Sequence, residues 1–230
     1  MTWVKICGMT NLEDALVAVD AGADAVGFVF YEKSSRCVSV EMAREICAKL
    51  PESVEKVGVF VNATAEVVIE TSRHVRLTVA QVYPNSAGGL PEFDDEFFRR
   101  AQCDVIIGLP AKALESVSGG EPTAFWLSTR TLRRILALLI DSGSVDLPGG
   151  SGKTFDWSQG VFIREGIKRL GTSLIVAGGL APENVAKAIN IFRPWGVDVA
   201  SGVEAAPGKK DPEKVRAFVR AVRECDRRAS

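Results

Sequence analysis

Two side chains of this sequence are placed to move a proton. Cys7 ends the run Lys5-Ile6-Cys7-Gly8, and far downstream Asp141 ends Leu138-Leu139-Ile140-Asp141. A thiol and a carboxyl at the ends of strand-length apolar runs make an acid and base pair once a fold brings those ends together. Three later stretches, Gly149-Gly150-Ser151-Gly152-Lys153, Val176-Ala177-Gly178-Gly179-Leu180 and Val199-Ala200-Ser201-Gly202-Val203, present small residues and bare backbone NH groups suited to a phosphate. The set points to proton transfer on a phosphorylated small molecule.

The elements that would position these residues alternate. Apolar, β-rich runs recur at residues 3–7, 24–30, 56–61, 79–83, 104–109, 136–141, 173–177 and 197–201. Between them lie helical stretches: residues 11–21 follow a capping Thr10 or Asn11, and Pro182 opens 183–192 as a first-turn proline would. Strand–helix alternation implies a parallel sheet. Eight such units, with no GxGxxG after the first strand, predict an α/β fold closed as a single (β/α)8 TIM barrel rather than a doubly wound sheet. The pattern breaks over 112–134, where no fifth helix can be assigned, and 142–157 reads as a long glycine-rich loop on the active face. Residues 1–230 are expected to form one domain.

Composition narrows the function classes. Hydrophobic residues make up 47% and charged residues 25%, ordinary for a globular chain, and no apolar run approaches a membrane span. The net charge of -1 offers no basic field for a nucleic acid, and the Arg-rich stretch from Arg216 to Arg228 reads as a final amphipathic helix. The first twenty residues show neither a signal nor a transit peptide, so a cytoplasmic protein is expected. Five cysteines, odd in number and without a CxxC pair, read as reduced thiols rather than a disulfide framework or a zinc site.

Within the first strand, Trp3, Lys5 and Cys7 share one face. If that face lines the barrel lumen, Cys7 sits at its mouth with Lys5 below, and the ammonium lowers the thiol's pKa toward the thiolate. The competing reading is a buried, inert cysteine. Asp141 is either a strand-end hydrogen-bond acceptor or a general acid kept partly protonated by apolar neighbours. His74, the only histidine, falls in the third helix and away from any strand end, which disfavours His-based catalysis. Gly152-Lys153-Thr154 is not a P-loop, because Leu147 stands where the motif needs glycine. Gly178-Gly179 and Ser201-Gly202 occupy the loops after the seventh and eighth strands, where barrels commonly hold phosphate. Arg36, in the loop after the second strand, could clamp a carboxylate or simply be solvated, and an inward Gln81 could meet substrate or fill a barrel layer.

The motifs Lys5-Ile6-Cys7-Gly8-Met9-Thr10, Ser35-Arg36, Gly149-Gly150-Ser151-Gly152-Lys153-Thr154-Phe155-Asp156-Trp157, Gly178-Gly179-Leu180-Ala181-Pro182-Glu183-Asn184-Val185 and Ser201-Gly202-Val203-Glu204, followed by Pro207-Gly208-Lys209-Lys210-Asp211, resemble the phosphoribosylanthranilate isomerase family of tryptophan biosynthesis. The resemblance runs in order along nearly the whole chain. It implies an Amadori rearrangement of N-(5-phosphoribosyl)anthranilate to 1-(2-carboxyphenylamino)-1-deoxyribulose 5-phosphate, with no cofactor or metal, in a monomer or homodimer. It implies Asp141 as the acid, Cys7 as the base and Arg36 on the anthranilate carboxylate. Gly150, Gly178, Gly179, Ser201 and Gly202 would grip phosphate, with Lys5 and Gln81 completing the substrate-binding set.

One departure stands in the fourth strand. Where the family usually reads Val-Gln-Leu-His-Gly, this chain has Ala80-Gln81-Val82-Tyr83-Pro84, and a tyrosine donates a hydrogen bond but carries no positive charge near neutrality. The irregular stretch after the fifth strand is a second. The alternatives are a related phosphosugar barrel, including a dual-substrate one, and a catalytically silent barrel that binds a phosphorylated ligand. Related phosphosugar isomerases usually pair two aspartates, which Cys7 disfavours, and the presence of both Cys7 and Asp141 argues against silence.

Overall fold

Alternating small and branched apolar residues build eight short parallel strands in the computed structural model, which describes residues 1–84, 89–90, 92–111, 132, 134–142 and 156–229. The strands are β1 (Trp3–Cys7), β2 (Ala25–Phe30), β3 (Glu55–Val61), β4 (Val79–Tyr83), β5 (Asp104–Pro110), β6 (Ala137–Asp141), β7 (Ser173–Val176) and β8 (Gly196–Val199). Each pairs with the next, and β1 pairs with β8 through Trp3 opposite Gly196 and Lys5 opposite Asp198, so the sheet closes as a TIM barrel. The expected 112–134 irregularity falls almost wholly outside the described residues.

Side-chain parity divides the interior in two. Trp3, Cys7, Ala25, Val29, Val57, Val59, Val79, Ile106, Leu139 and Ile175 fill the lumen, while Val4, Ile6, Phe28, Phe60, Val82, Ile107 and Val197 pack outward against the helices. This is the alternation a barrel wall demands. Among the described residues, four polar side chains break the lumen's apolar rule: Lys5, Gln81, Asp141 and Asp198 are all buried.

Helix starts follow side-chain capping. Asn11 accepts from the Asp14 amide at 2.8 Å and opens α1 (Leu12–Asp20). Ser39, Thr64 and Asp94 do the same for α2 (Val40–Cys47), α3 (Ala65–Val75) and α4 (Asp95–Ala101). His74 lies in the last turn of α3, as expected. After β6 come α5 (Gly160–Arg169), α6 (Val185–Phe192) and α7 (Pro212–Ala229). None of these described helices is long and apolar enough to cross a membrane.

Two expected boundaries move. Helix α6 begins at Val185, not at Glu183, because the Asn184 side chain is turned back to brace the preceding loop, accepting from the Ala181 amide at 2.9 Å and donating to the Gly179 carbonyl at 2.9 Å. Strand β8 ends at Val199 rather than Ser201, since Ser201–Val203 coils into a single 3-10 turn. A hairpin of β9 (Glu204–Ala206) and β10 (Lys209–Lys210) follows.

Helix α7 clasps the start of the chain. Asp226 accepts from the Thr2 amide and hydroxyl, and Arg223 donates to the carbonyls of Thr2 and Gly22 and to Asp24. Replacing Arg223 with alanine leaves two carbonyls and a carboxylate short of a donor and is expected to cost about 1–2 kcal/mol. A fall in urea midpoint at unchanged m-value measures it; an unchanged midpoint would show the clasp contributes nothing.

Candidate active site

The strand C-termini open onto a cavity of about 350 Å³, the scale of a small-molecule site and the face on which TIM barrels carry theirs. Its wall brings together Cys7 from β1, Gln81 and Tyr83 from β4, Asp141 from β6, Asp198 from β8, Arg36 from the loop after β2, Gly178 and Gly179 after β7, and Ser201 after β8. Most of the residues singled out from the sequence therefore meet at one place. Gly150 lies outside the described residues.

Lys5 and Gly202 are not on this wall. Lys5 is fully buried beneath it, donating to Gln81 Oε1 at 2.8 Å and paired with Asp198 at 3.0 Å, so its charge is committed to the protein rather than presented to a ligand. Burial pulls its ammonium toward neutrality, but Asp198 and then Cys7 outweigh that and hold it above its ordinary value. Gly202 backs onto the Leu180 carbonyl so closely that no Cβ fits, and it serves the packing between the β7 and β8 loops.

Cys7 does not titrate as Lys5 alone would dictate. Burial dominates and raises the thiol above its ordinary value; Lys5 works against that, and Asp198 adds to it. The ammonium is too nearly neutralised by its own counterion to win. Cys47 is pushed up to about 12 by burial, against a smaller opposing pull from Lys56.

Arg36 reaches the cavity by crossing over Gly8, whose φ of +85° and missing side chain the crossing requires; a Cβ there would lie 2.6 Å from Arg36 Cδ. Its Nε and Nη2 bind the two oxygens of Glu204 at 2.8 and 2.7 Å. Glu204 also takes the buried Lys210 ammonium at 3.0 Å. Burial pushes the Glu204 carboxyl up, yet Arg36 and Lys210 together leave it below its ordinary range. Burial also keeps Lys210 below its own ordinary value, against the pull of Glu204. The guanidinium is thus held in a bidentate fork by the β9 strand, which spends two of its five donors and fixes its plane.

The sequence reading passed over Asp198 and gave no partner to Tyr83, Glu204 or Asn184. Asp198 could have been found by parity, since a charged residue between Val197 and Val199 must face the lumen if its neighbours face out. Tyr83 and Glu204 carry no such signal, because each acts through a contact set by tertiary geometry, Glu204 with Arg36 across 168 positions and Tyr83 with Asp141 across 58, whereas Asn184 acts locally on Ala181 and Gly179.

Comparison with known proteins agrees with this architecture. The family model described as N-(5'phosphoribosyl)anthranilate (PRA) isomerase matches residues 4–221. An N-(5'-phosphoribosyl)anthranilate isomerase from Trichlorobacter lovleyi is 42% identical over 97% of this chain and 99% of its own. The crystal structure of phosphoribosyl anthranilate isomerase from Thermotoga maritima superposes with a TM-score of 0.76 at 39% identity, covering 97% of this chain and 100% of that one. Another crystal structure of the isomerase, in complex with reduced 1-(o-carboxyphenylamino)-1-deoxyribulose 5-phosphate, gives 0.74 at 38% with the same coverage. With the match running from β1 into the last helix, this chain belongs to the N-(5'-phosphoribosyl)anthranilate isomerase family.

Proposed function

We propose that this chain converts N-(5'-phosphoribosyl)anthranilate to 1-(2-carboxyphenylamino)-1-deoxyribulose 5-phosphate with Cys7 as general base and Asp141 as general acid. The observation that carries the assignment is that a thiol from β1 and a carboxyl from β6, both buried, line one cavity rimmed by the Gly178-Gly179 and Ser201 loops. Asp141 protonates the furanose ring oxygen, and the C1'–O bond breaks as the anthranilate nitrogen forms a Schiff base. The Cys7 thiolate then takes the C2' proton, and its electron pair neutralises the iminium as an enolamine. Return of a proton to C1' and loss of one from the C2' hydroxyl yields the ketone. The backbone NH groups of the glycine loops take the phosphate, with Asn184 holding the first loop in shape.

The reactive form carries one proton on Asp141 and none on Cys7. It has the same proton count as a thiol beside a carboxylate, so activity holds a plateau between the two titrations and falls on either side. The low-pH limb belongs to the carboxyl, and the high-pH limb lies above the ordinary thiol range because Cys7 is raised.

The edge of Arg36 opposite Glu204 meets the anthranilate carboxylate. Arg36→Met is therefore expected to raise KM by about tenfold, the worth of hydrogen bonds to a charged group, while kcat changes less. A loss confined to kcat would place the arginine elsewhere. The reading as a whole is tested by following the fluorescence of freshly generated phosphoribosylanthranilate with purified protein: decay above the spontaneous rate supports it, and decay at the spontaneous rate would leave a silent binder.

A further inference from the structure

A line of hydrogen bonds crosses the lumen from Lys5 to Asp141, and the chemistry of its members fixes the direction of every donor. Lys5 Nζ is only a donor, so the atom of Gln81 that meets it at 2.8 Å is the carbonyl Oε1. The amide's other end, Nε2, then donates to the Tyr83 hydroxyl at 3.1 Å. Since the phenol oxygen is accepting there, its one hydrogen is turned to Asp141 Oδ2, 3.3 Å away. Tyr83 is 4% exposed, so water does not compete for that hydrogen. Burial first, and then the charges of Asp141, Asp198 and Cys7, hold the phenol well above its ordinary titration range, so it remains a donor wherever the enzyme works.

The ring's place is built as well. Gly108 on β5 lies directly under it, and a Cβ at that position would come within 2.6 Å of Cζ and 2.7 Å of Cδ1. The residue opposite the phenol is thus small for a reason that has nothing to do with β5 itself.

We propose that Tyr83 is a positioning residue for the acid, fixing the Asp141 carboxyl in the cavity wall through a hydrogen bond whose direction is imposed by Lys5 and Gln81. The inference rests on the isomerase reading for its kinetic consequences, but the contact itself does not. Among the described residues, the other ionisable groups around the lumen are Lys5 and Cys7 on β1 and Asp198 on β8, with Tyr31, Lys33 and Arg36 on the rim. The strands flanking Asp141, β5 and β7, carry none apart from Asp104 at the far end of β5.

A donor aimed at a carboxylate favours its charged form. In Tyr83→Phe the Asp141 titration, followed by carbon NMR of protein labelled at the aspartate carboxyls, is expected to move upward by about one pH unit. The low-pH limb of kcat/KM should move with it while the high-pH limb stays, and plateau kcat should fall by about tenfold or more as the acid loses its fixed orientation. Gly108→Ala, which displaces the ring without altering either hydrogen-bonding group, should reproduce the shift and decides the matter if the Tyr83 variant does not fold. An Asp141 titration unmoved in the folded variant overturns the proposal, even if turnover drops. If the unaltered protein proves inactive on phosphoribosylanthranilate, the isomerase reading fails, and the NMR titration still decides the role of Tyr83.

Discussion

Cys7→Ser is expected to reduce kcat/KM by about 10² to 10⁴, the range for loss of a general base. Serine keeps nearly the same volume and hydrogen bonds, so the lumen beneath Gly27 and beside Lys5 is undisturbed. What it loses is an ionisation within reach of neutral pH. A hydroxyl in this pocket would face the same burial that already lifts the thiol, starting from a far less acidic group. Melting temperature within a few degrees of the parent would show that folding is intact, and steady-state fluorescence decay would measure the loss. A serine variant that retains more than about a tenth of the parent rate would return Cys7 to the status of buried filler, the alternative its position in the sequence left open.

The second large effect is expected at Asp141. Asn replaces a carboxyl with an amide of the same shape, which still accepts a hydrogen bond from Tyr83 and can still complete the end of β6, where residue 141 sits opposite Pro110. It has no acidic proton to give. If Asp141 merely ended the strand, Asp141→Asn would be almost silent; as the acid it should lower kcat/KM by about 10² to 10⁴. Combining it with Cys7→Ser should cost little more than either alone, because acid and base serve one transfer and act as a unit. Strict additivity of the two losses would mean they serve separate steps.

The barrel was legible because its strands obey local rules. Parity alone put Trp3, Lys5 and Cys7 on one common face, and the eight apolar runs predicted all eight strands to within two residues at either end. The candidate residues were legible to the extent that strand ends and glycine loops announce themselves. What the sequence could not disclose were balances between residues distant along the chain. Lys5 does lower the Cys7 thiol, as its place two residues away implied, but burial, aided by Asp198, outweighs it, and Arg36 looked unattached until Glu204 was found beside it. The start of α6 was misplaced for a local reason, since Asn184 spends its side chain on the loop just before it rather than on a helix cap. Tyr83 was noticed as a departure but given no partner, and only the closed sheet sets it against Asp141.

The pairing of the first strand with the last has a consequence for how the enzyme comes into being on the ribosome. Lys5 is made 193 residues before its counter-charge, Asp198. Until then the open barrel must leave that ammonium in water, so the floor under Cys7 stays wet. Synthesis of β8 seals it, and α7, made after β8, latches the seam by gripping Thr2. A nascent chain halted before β8 can hold Cys7 and Asp141 and still lack the closed wall that shelters a labile sugar phosphate.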